Sequence, residues 1–176
     1  MILYMLRHAS AGEPKADPVK DDRRPLDSEG VGQAHDVGRA LAALEVQVDA
    51  VVSSPLKRAM QTAAVAANEL GFDGKIQRHA ALHGDASFDQ FRQLLRDFSD
   101  GDSVLLVGHN PSLSEFLSLL LSGGTRRRSV DLRKGGVAKI EVERNDASLS
   151  WCLTPKVVRA LYRTAAVKSR PKTERK

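Results

Sequence analysis

The sequence predicts a single α/β domain of three layers (α/β/α), in which helices cover both faces of a mostly parallel sheet that ends in an antiparallel edge hairpin. Short apolar runs typical of buried strands alternate with longer segments whose apolar residues recur at helical spacing. The chain has 176 residues, the length of one domain. Its hydrophobic fraction of 41 % and charged fraction of 28 % exclude a disordered or fibrous chain.

The first half of the chain predicts two strands and two helices. Residues 2–6 form an apolar run ended by charge, which is typical of a buried strand. Residues 9–26 contain three prolines and several charges, and a loop of this length in a compact domain is usually functional or disordered. Asp27 then caps a helix, and residues 49–52 form a second strand. The pair Ser54-Pro55 predicts a cap with proline at the first helical position, opening a helix that runs to Leu70.

The second half continues this alternation and adds a hairpin. We expect a short strand at 76–79, a helix over 88–98 and a buried strand at 103–107. A helix over 112–121, capped by Asn110, follows. Two alternating strands, 137–143 and 149–153, then form a hairpin that turns around Asn145-Asp146. Because hairpin strands are antiparallel, they extend one edge of the parallel sheet.

The excess of basic over acidic residues lies at the C-terminal end of the chain. The formal net charge is +5, but residues 156–176 carry +7, so residues 1–155 carry −2. We expect residues 1–155 to form the domain and residues 156–176 to form a basic tail, partly helical and then disordered. Such a tail is usually a solvated feature, and contact with an anionic partner is the alternative. Nucleic acid is not an expected partner, because aromatic residues make up only 5 % of the chain.

The composition also excludes several other classes of protein. A single cysteine excludes an intramolecular disulfide and a cysteine-rich zinc site. No apolar run approaches the ~18 residues that a membrane helix needs. The N-terminus lacks the basic region and the small-residue cleavage site of a signal peptide. These observations predict a cytoplasmic protein with no membrane partner.

Three polar clusters follow three of the predicted strands, at residues 7–8, 53–58 and 108–111. In open α/β sheets, ligands bind in the crevice beyond the carboxyl ends of the strands. Two of the clusters run into helix N-termini, which favour anions. Cationic and imidazole side chains at that edge indicate a phosphate site with a possible nucleophile. The sequence contains neither a Walker A loop nor the HExxH spacing of a zinc site, so we expect no metal and no cofactor.

At these clusters the sequence resembles the histidine phosphatase (phosphoglycerate mutase-like) superfamily. The superfamily signatures are LRHAS at 6–10, SSPLKRAMQTA at 53–63 and VGHNP at 107–111. The short SixA-type phosphohistidine phosphatase branch is indicated by RPLDSEG at 24–30, KGGVAKIEVE at 134–143 and WCLTP at 151–155. The resemblance covers nearly the whole chain apart from the tail.

The resemblance implies a role for four residues of this chain. His8 is the nucleophile, and Arg7, Arg58 and His109 bind the transferring phosphoryl group. Elementary chemistry agrees, because a neutral imidazole is a good nucleophile near pH 7. Forked arginine donors and a protonated imidazole would balance the charge of the equatorial oxygens. We therefore expect His8 to be neutral and His109 to be charged.

The sequence departs from the family pattern at two places. Ala9 stands where the family usually has glycine, and no glutamate occurs in the segment 79–85, where many members carry a general acid. Asp85 and His83 are the candidate acids, although both could be ordinary loop residues, and Glu13 is a more distant candidate. A phosphoramidate leaves through nitrogen and depends less on a protein acid than an alcohol phosphate does. The missing glutamate therefore favours phosphohistidine as the substrate.

The leading prediction is a metal-independent phosphatase that forms a phosphohistidine on His8 and dephosphorylates phosphohistidine in a protein. One alternative is the same chemistry on a small metabolite or a nucleotide-derived phosphate ester. A second alternative is a phosphate-binding module that has lost catalysis, although such a module would not need the nucleophile. The expected partner is accordingly a phosphorylated protein or a small phosphate ester.

Overall fold

The computed structural model describes residues 1–124, 130–143 and 146–168, with side chains described as far as Tyr162. The elements in chain order are β1 (Ile2–Arg7), α1 (Pro18–Asp22), α2 (Ser28–Ala43), β2 (Ala50–Ser53), α3 (Lys57–Glu69), β3 (Gln77–Arg78), a 3₁₀ turn (Ala80–Leu82), α4 (Phe88–Leu95), β4 (Ser103–Gly108), α5 (Ser112–Leu121), β5 (Val137–Glu143), β6 (Asp146–Leu153) and α6 (Pro155–Lys168).

One six-stranded sheet organises the chain, with strand order β3-β2-β4-β1-β5-β6. Strands β3, β2, β4 and β1 are parallel to one another, whereas β5 is antiparallel to β1 and β6 is antiparallel to β5. The predicted mixed sheet with an antiparallel edge hairpin is therefore confirmed. The hairpin turn was expected around Asn145-Asp146, and residues 144–145 lie outside the described residues.

Both faces of the sheet are covered by helices, because the inner strands are apolar on both sides. On one face, α2 and α3 pack their small and aliphatic residues against the sheet (Val37, Leu41, Ala59, Ala63 and Ala66 against Leu6, Val51 and Leu105). On the other face, α4 and α5 supply larger side chains (Phe91, Leu94, Leu113, Phe116 and Leu117 against Leu3, Met5, Val52 and Leu106). The three predicted layers are confirmed.

The loop at 9–26 contains a short helix that the sequence reading did not predict. Asp17 caps α1, accepting hydrogen bonds from the backbone N–H groups of Val19 and Lys20, and Pro18 occupies the first helical position. A capping aspartate followed by proline is a helix start signal. Because the helix spans only five residues, it lacks the apolar periodicity on which the loop prediction relied.

The predicted caps of α3 and α5 are wrong. Helix α3 begins at Lys57 with Leu56 at the N-cap, and α5 begins at Ser112 with Pro111 at the N-cap, in both cases without a side-chain cap. Ser54 and Asn110, the expected caps, make tertiary hydrogen bonds near the carboxyl edge of the sheet. These partners use the side chains that would otherwise have capped the helices.

The predicted basic tail begins within α6. Val158 of this helix is buried, and the Arg159 Nε donates to Asp36 Oδ2 of α2 at 2.6 Å, so the first turns of α6 pack against the body of the domain. The remainder of the predicted tail, residues 169–176, lies outside the described residues. Among the residues that are described, no helix is long and apolar enough to cross a membrane.

Candidate active site

The sheet brings the three polar clusters together, as the sequence predicted. Strands β2, β4 and β1 are adjacent and parallel, with Ser53 beside Val107 and Val107 beside Leu6. Pairing continues past the strand ends, because the Ser54 N–H donates to the Val107 carbonyl and the His8 N–H donates to the Gly108 carbonyl, both at 2.9 Å. The segments that carry the nucleophile candidate and the second histidine are thereby held side by side.

His8 follows β1 directly and is only 8 % exposed. Its Nδ1 lies 2.7 Å from the Ala9 carbonyl oxygen. A carbonyl can only accept, so Nδ1 carries the proton and Nε2 keeps the lone pair. The pKa of His8 is lowered to about 4, chiefly by burial and also by the positive charges of Arg58 and Arg7, against the opposing effect of the Ala9 hydrogen bond. The ring is therefore neutral at pH 7, as expected.

His109 lies against His8, with the two ring centroids 4.7 Å apart. Its Nε2 is 2.9 Å from Ser54 Oγ, and its Nδ1 is buried without a hydrogen-bond partner among the described residues. The pKa of His109 is lowered to about 2, chiefly by burial and also by the proximity of His8 and the arginines. The expectation that His109 is charged is thus wrong for the unliganded site, because the ring is 3 % exposed and lies among cations.

The two arginines approach the histidines from different elements. Arg58 lies in the first turn of α3 and is 8 % exposed, and its Nη1 donates to the Asp21 carbonyl at 2.9 Å. Its Nε is buried without a hydrogen-bond partner among the residues that the structure describes. Arg7 ends β1 and donates through Nη1 to the Leu132 carbonyl at 2.8 Å. All four predicted site residues thus belong to one polar cluster beyond the carboxyl ends of the strands.

The backbone after the nucleophile is fixed by Thr62, a residue to which the sequence reading gave no definite role. Thr62 Oγ1 accepts from the Ala9 N–H at 3.1 Å and donates to the Arg58 carbonyl at 2.8 Å, so one hydroxyl joins the nucleophile loop to α3. The Ala9 methyl group, which departs from the family pattern, packs in a small buried cluster that includes Ala11 and Leu26. The methyl group therefore fills space in this small core.

Further hydrogen bonds fasten the loop to α2. The Ser10 N–H donates to Gln33 Oε1 at 2.9 Å, and Asp27 Oδ2 accepts from Ser10 Oγ at 2.8 Å and from the Gly12 N–H at 2.7 Å. Asp27 also caps α2 as predicted, accepting from the Gly30 N–H. These bonds make the segment after His8 a preorganised part of the site.

Asp21 is a second residue of the site to which the sequence analysis assigned no role. Its carboxylate pairs with the Arg24 Nε at 2.8 Å and lies 3.4 Å from Arg58 Nη1. The hydrogen bond from Arg24 holds the pKa of Asp21 at about 2, well below its ordinary value. Because Arg24 also donates to the carbonyls of Ala11 and Gly12, Asp21 links α1, the nucleophile loop and the buried guanidinium. The Asp17-Pro18 start signal was the only sequence indication that this segment is ordered.

The candidate general acids differ in their position. The half-buried His83 ring has its centroid 6.5 Å from that of His109, so it lies at the border of the site. Asp85 and Glu13 are exposed, and neither makes a hydrogen bond or an ion pair with another described residue. His83 thus has a ring contact with the histidine pair, whereas no hydrogen bond or ion pair among the described residues ties Asp85 or Glu13 to it.

The donor set of the site is cationic and imidazole-rich. Within the described ranges, no group of three or more histidine, cysteine, aspartate or glutamate side chains is arranged to hold a metal ion. The chemistry of the donors present is suited to an anion with several oxygens, because guanidinium groups donate in forks and imidazole nitrogens can donate or attack.

Comparison with known proteins agrees with this geometry. Residues 3–84 match the family model of the histidine phosphatase superfamily (branch 1). An uncharacterised protein of Picosynechococcus sp. is 33 % identical over 140 residues, which cover 78 % of this chain and 82 % of the relative.

Many solved structures share the fold, including the following two. The protein histidine phosphatase SixA complexed with tungstate superposes with a TM-score of 0.78 at 21 % identity, covering 89 % of this chain and 98 % of SixA. A putative α-ribazole-5′-phosphate phosphatase from Escherichia coli gives 0.67 at 18 % identity, covering 88 % of this chain and 96 % of that protein. The chain belongs to the histidine phosphatase superfamily, branch 1, and is a histidine-type phosphatase.

Proposed function

We propose that the protein is a metal-independent phosphatase that removes the phosphoryl group from phosphohistidine in a protein, through a phosphohistidine intermediate on His8. The observation that carries the proposal is the state of His8. Its Nδ1–H is committed to the Ala9 carbonyl, and the low pKa keeps the ring neutral, so Nε2 offers a lone pair at pH 7.

The first step is an in-line displacement at phosphorus. His8 Nε2 forms a bond to the phosphoryl group, and the bond from phosphorus to the substrate nitrogen breaks, with the electron pair leaving on that nitrogen. In the second step, water attacks the phosphorus of the His8 adduct, the bond to Nε2 breaks, and inorganic phosphate leaves. Splitting the hydrolysis in this way replaces one difficult step with two easier ones.

The neighbouring cations supply the charge balance that a metal supplies elsewhere. Arg58 and Arg7 carry fixed charges, and the unpaired Nε of Arg58 is available to a phosphoryl oxygen. The buried Nδ1 of His109 is likewise available. A phosphate dianion next to His109 would raise its pKa, so we propose that this ring takes up a proton with the substrate and then donates to it.

The position of the candidate acids supports a nitrogen leaving group. Asp85 is exposed and His83 is only half-buried, so neither is held in the tight, desolvated geometry typical of a dedicated acid. A phosphoramidate needs less protonation by the protein than an alcohol ester does. The fold shared with SixA, named as a protein histidine phosphatase, supports the same substrate class.

A small phosphate ester is the second candidate, favoured by the fold shared with the α-ribazole-5′-phosphate phosphatase. The two candidates differ in their need for an acid. We therefore compare kcat/KM of Asp85→Asn, His83→Gln and Arg58→Ala on a phosphohistidine peptide and on an alkyl phosphate. We expect faster turnover of the peptide, little effect of the first two substitutions on it, and a loss on both substrates from Arg58→Ala.

Two results would contradict the proposal. One is a wild-type enzyme that hydrolyses the alkyl phosphate with the higher kcat/KM. The other is a loss of ~10²–10⁴-fold on the peptide from Asp85→Asn or His83→Gln alone, the range typical of a general acid. The wild-type enzyme serves as the reference for folding, which is checked for each variant by circular dichroism.

A further inference from the structure

A groove of about 480 Å³ opens beside the histidine pair, and we refer to it as the cationic groove. Its rim carries three exposed cations, Arg23, Lys57 and Arg78, and its other lining residues are Asp22, Pro55, Leu56, Met60 and His83. The proposed mechanism uses none of the three rim cations.

The cationic groove lies next to the active site, as three of its lining segments show. His83 lines the groove, and its ring lies 6.5 Å from the ring of His109. Pro55 and Leu56 follow Ser54, whose hydroxyl contacts His109. Asp22 follows Asp21, whose carbonyl accepts from Arg58. A group that extends from a phosphoryl bound at the histidines toward His83 would therefore enter this groove.

The charge of the groove has no internal counterpart beyond Asp22. Within the part of the chain that the structure describes, no carboxylate lies at ion-pair distance from Arg23, Lys57 or Arg78. Three cations against one carboxylate, together with the apolar surface of Leu56 and Met60, are complementary to a ligand that carries both carboxylates and apolar groups.

A second groove, of about 690 Å³, lies between α2 and α6 and is lined by four basic residues, two of which form ion pairs. Arg159 pairs with Asp36 at 2.6 Å, Arg133 pairs with Asp131 at 3.6 Å, and Glu29 lines the wall. Its Lys156 is exposed and provides a matched comparison for Lys57.

We propose that the cationic groove binds an acidic segment next to the phosphorylated residue of the protein substrate. This inference rests on the proposed function and defines its substrate class as phosphohistidine flanked by aspartate or glutamate. A polypeptide is favoured over nucleic acid because the groove offers aliphatic surface and no phenylalanine, tyrosine or tryptophan on which a base could stack.

Binding of unphosphorylated peptides tests the inference without requiring turnover. The probes are a fluorescein-labelled histidine peptide flanked by glutamates and the same peptide with glutamines, and Kd is measured by fluorescence anisotropy at low salt. We expect the acidic peptide to bind about tenfold more tightly. Lys57→Gln and Arg78→Gln each weaken it about threefold, as for single exposed charge pairs, and the double variant weakens it about tenfold. Lys156→Gln leaves its Kd unchanged.

Three outcomes would overturn the inference. They are equal Kd values for the two peptides, an effect of Lys156→Gln as large as that of Lys57→Gln, and displacement of the acidic peptide by a single-stranded oligonucleotide at lower concentration than by unlabelled peptide. The phosphorylated forms of both peptides are then compared by kcat/KM. Absence of turnover on both phosphorylated peptides would contradict the proposed function. The anisotropy measurement tests peptide binding in the cationic groove independently of turnover.

Discussion

Acidification is the perturbation that tests the environment of His8 most informatively. An ordinary histidine has a pKa of 6.5, whereas burial and the two arginines lower that of His8 to about 4. At pH 5.5 the ring in the folded protein should thus be about 97 % neutral, against about 9 % for an ordinary histidine. The acid limb of kcat/KM, which reports the free enzyme, should accordingly lie well below pH 6.5 once the ionisation of the substrate is subtracted.

The same shift makes folding stability depend on pH. Between pH 6.5 and about 4 the unfolded chain binds a proton at His8 and the folded chain does not, so unfolding is favoured as the pH falls. The contribution of the neutral His8 ring to the free energy of unfolding is fully present above pH 6.5 and is lost as the pH falls to about 4. It amounts to about 3 kcal/mol in total, of which about 1 kcal/mol is lost between pH 7 and pH 5.5.

Two measurements check these values. Ring carbon–proton NMR of the free enzyme follows the titration of His8, which is assigned by its absence in His8→Gln. Urea unfolding at pH 7 and pH 5.5 should show a smaller loss of stability in His8→Gln than in the wild type, by about 1 kcal/mol. A titration of His8 centred near pH 6.5, or equal pH dependence of the two proteins, would refute the reasoning.

Three further predictions concern the supports of the site and its charge balance. Gly30→Ala should destabilise the fold by about 1–3 kcal/mol in urea unfolding, because the added methyl group would overlap a backbone oxygen of the loop after β1. Gly32→Ala should not destabilise it, because the added methyl group would make only an ordinary van der Waals contact with the Arg159 side chain. Thr62→Val should lower the free energy of unfolding by about 1–3 kcal/mol and also lower kcat, because the buried Ala9 N–H loses its acceptor. Thr154→Val, at a more exposed threonine, is the control, and an equal loss of stability in the two variants would contradict the role assigned to Thr62. Activity should persist in excess chelator, and a loss that added divalent metal restores would contradict the metal-free mechanism.

The sequence was sufficient to predict the mixed sheet and the juxtaposition of the three polar clusters at its carboxyl edge. Buried strands such as 103–107 are marked by apolar runs, and the carboxyl-edge rule places the residues that follow parallel strands in one crevice. The pairing of β4 between β1 and β2, which brings His109 beside His8, is the tertiary result of that rule.

Other features depend on contacts between residues far apart in the chain. The contact of Asp21 with Arg58 joins positions 37 residues apart, and no local pattern encodes it. The cap predictions failed at Ser54 and Asn110 because tertiary partners compete for their side chains. The charge of His109 was mispredicted because the degree of burial, which decides its pKa, is set by the assembled fold.

The central claim, that His8 carries the phosphoryl group, is tested most directly by trapping the intermediate. The wild-type enzyme is mixed briefly with labelled phosphohistidine peptide, quenched in alkali and digested, and the labelled peptide is identified by mass spectrometry. We expect an acid-labile, alkali-stable label on His8 that is absent from His8→Ala. A label that is acid-stable, that lies on another residue, or that persists in His8→Ala would contradict the account.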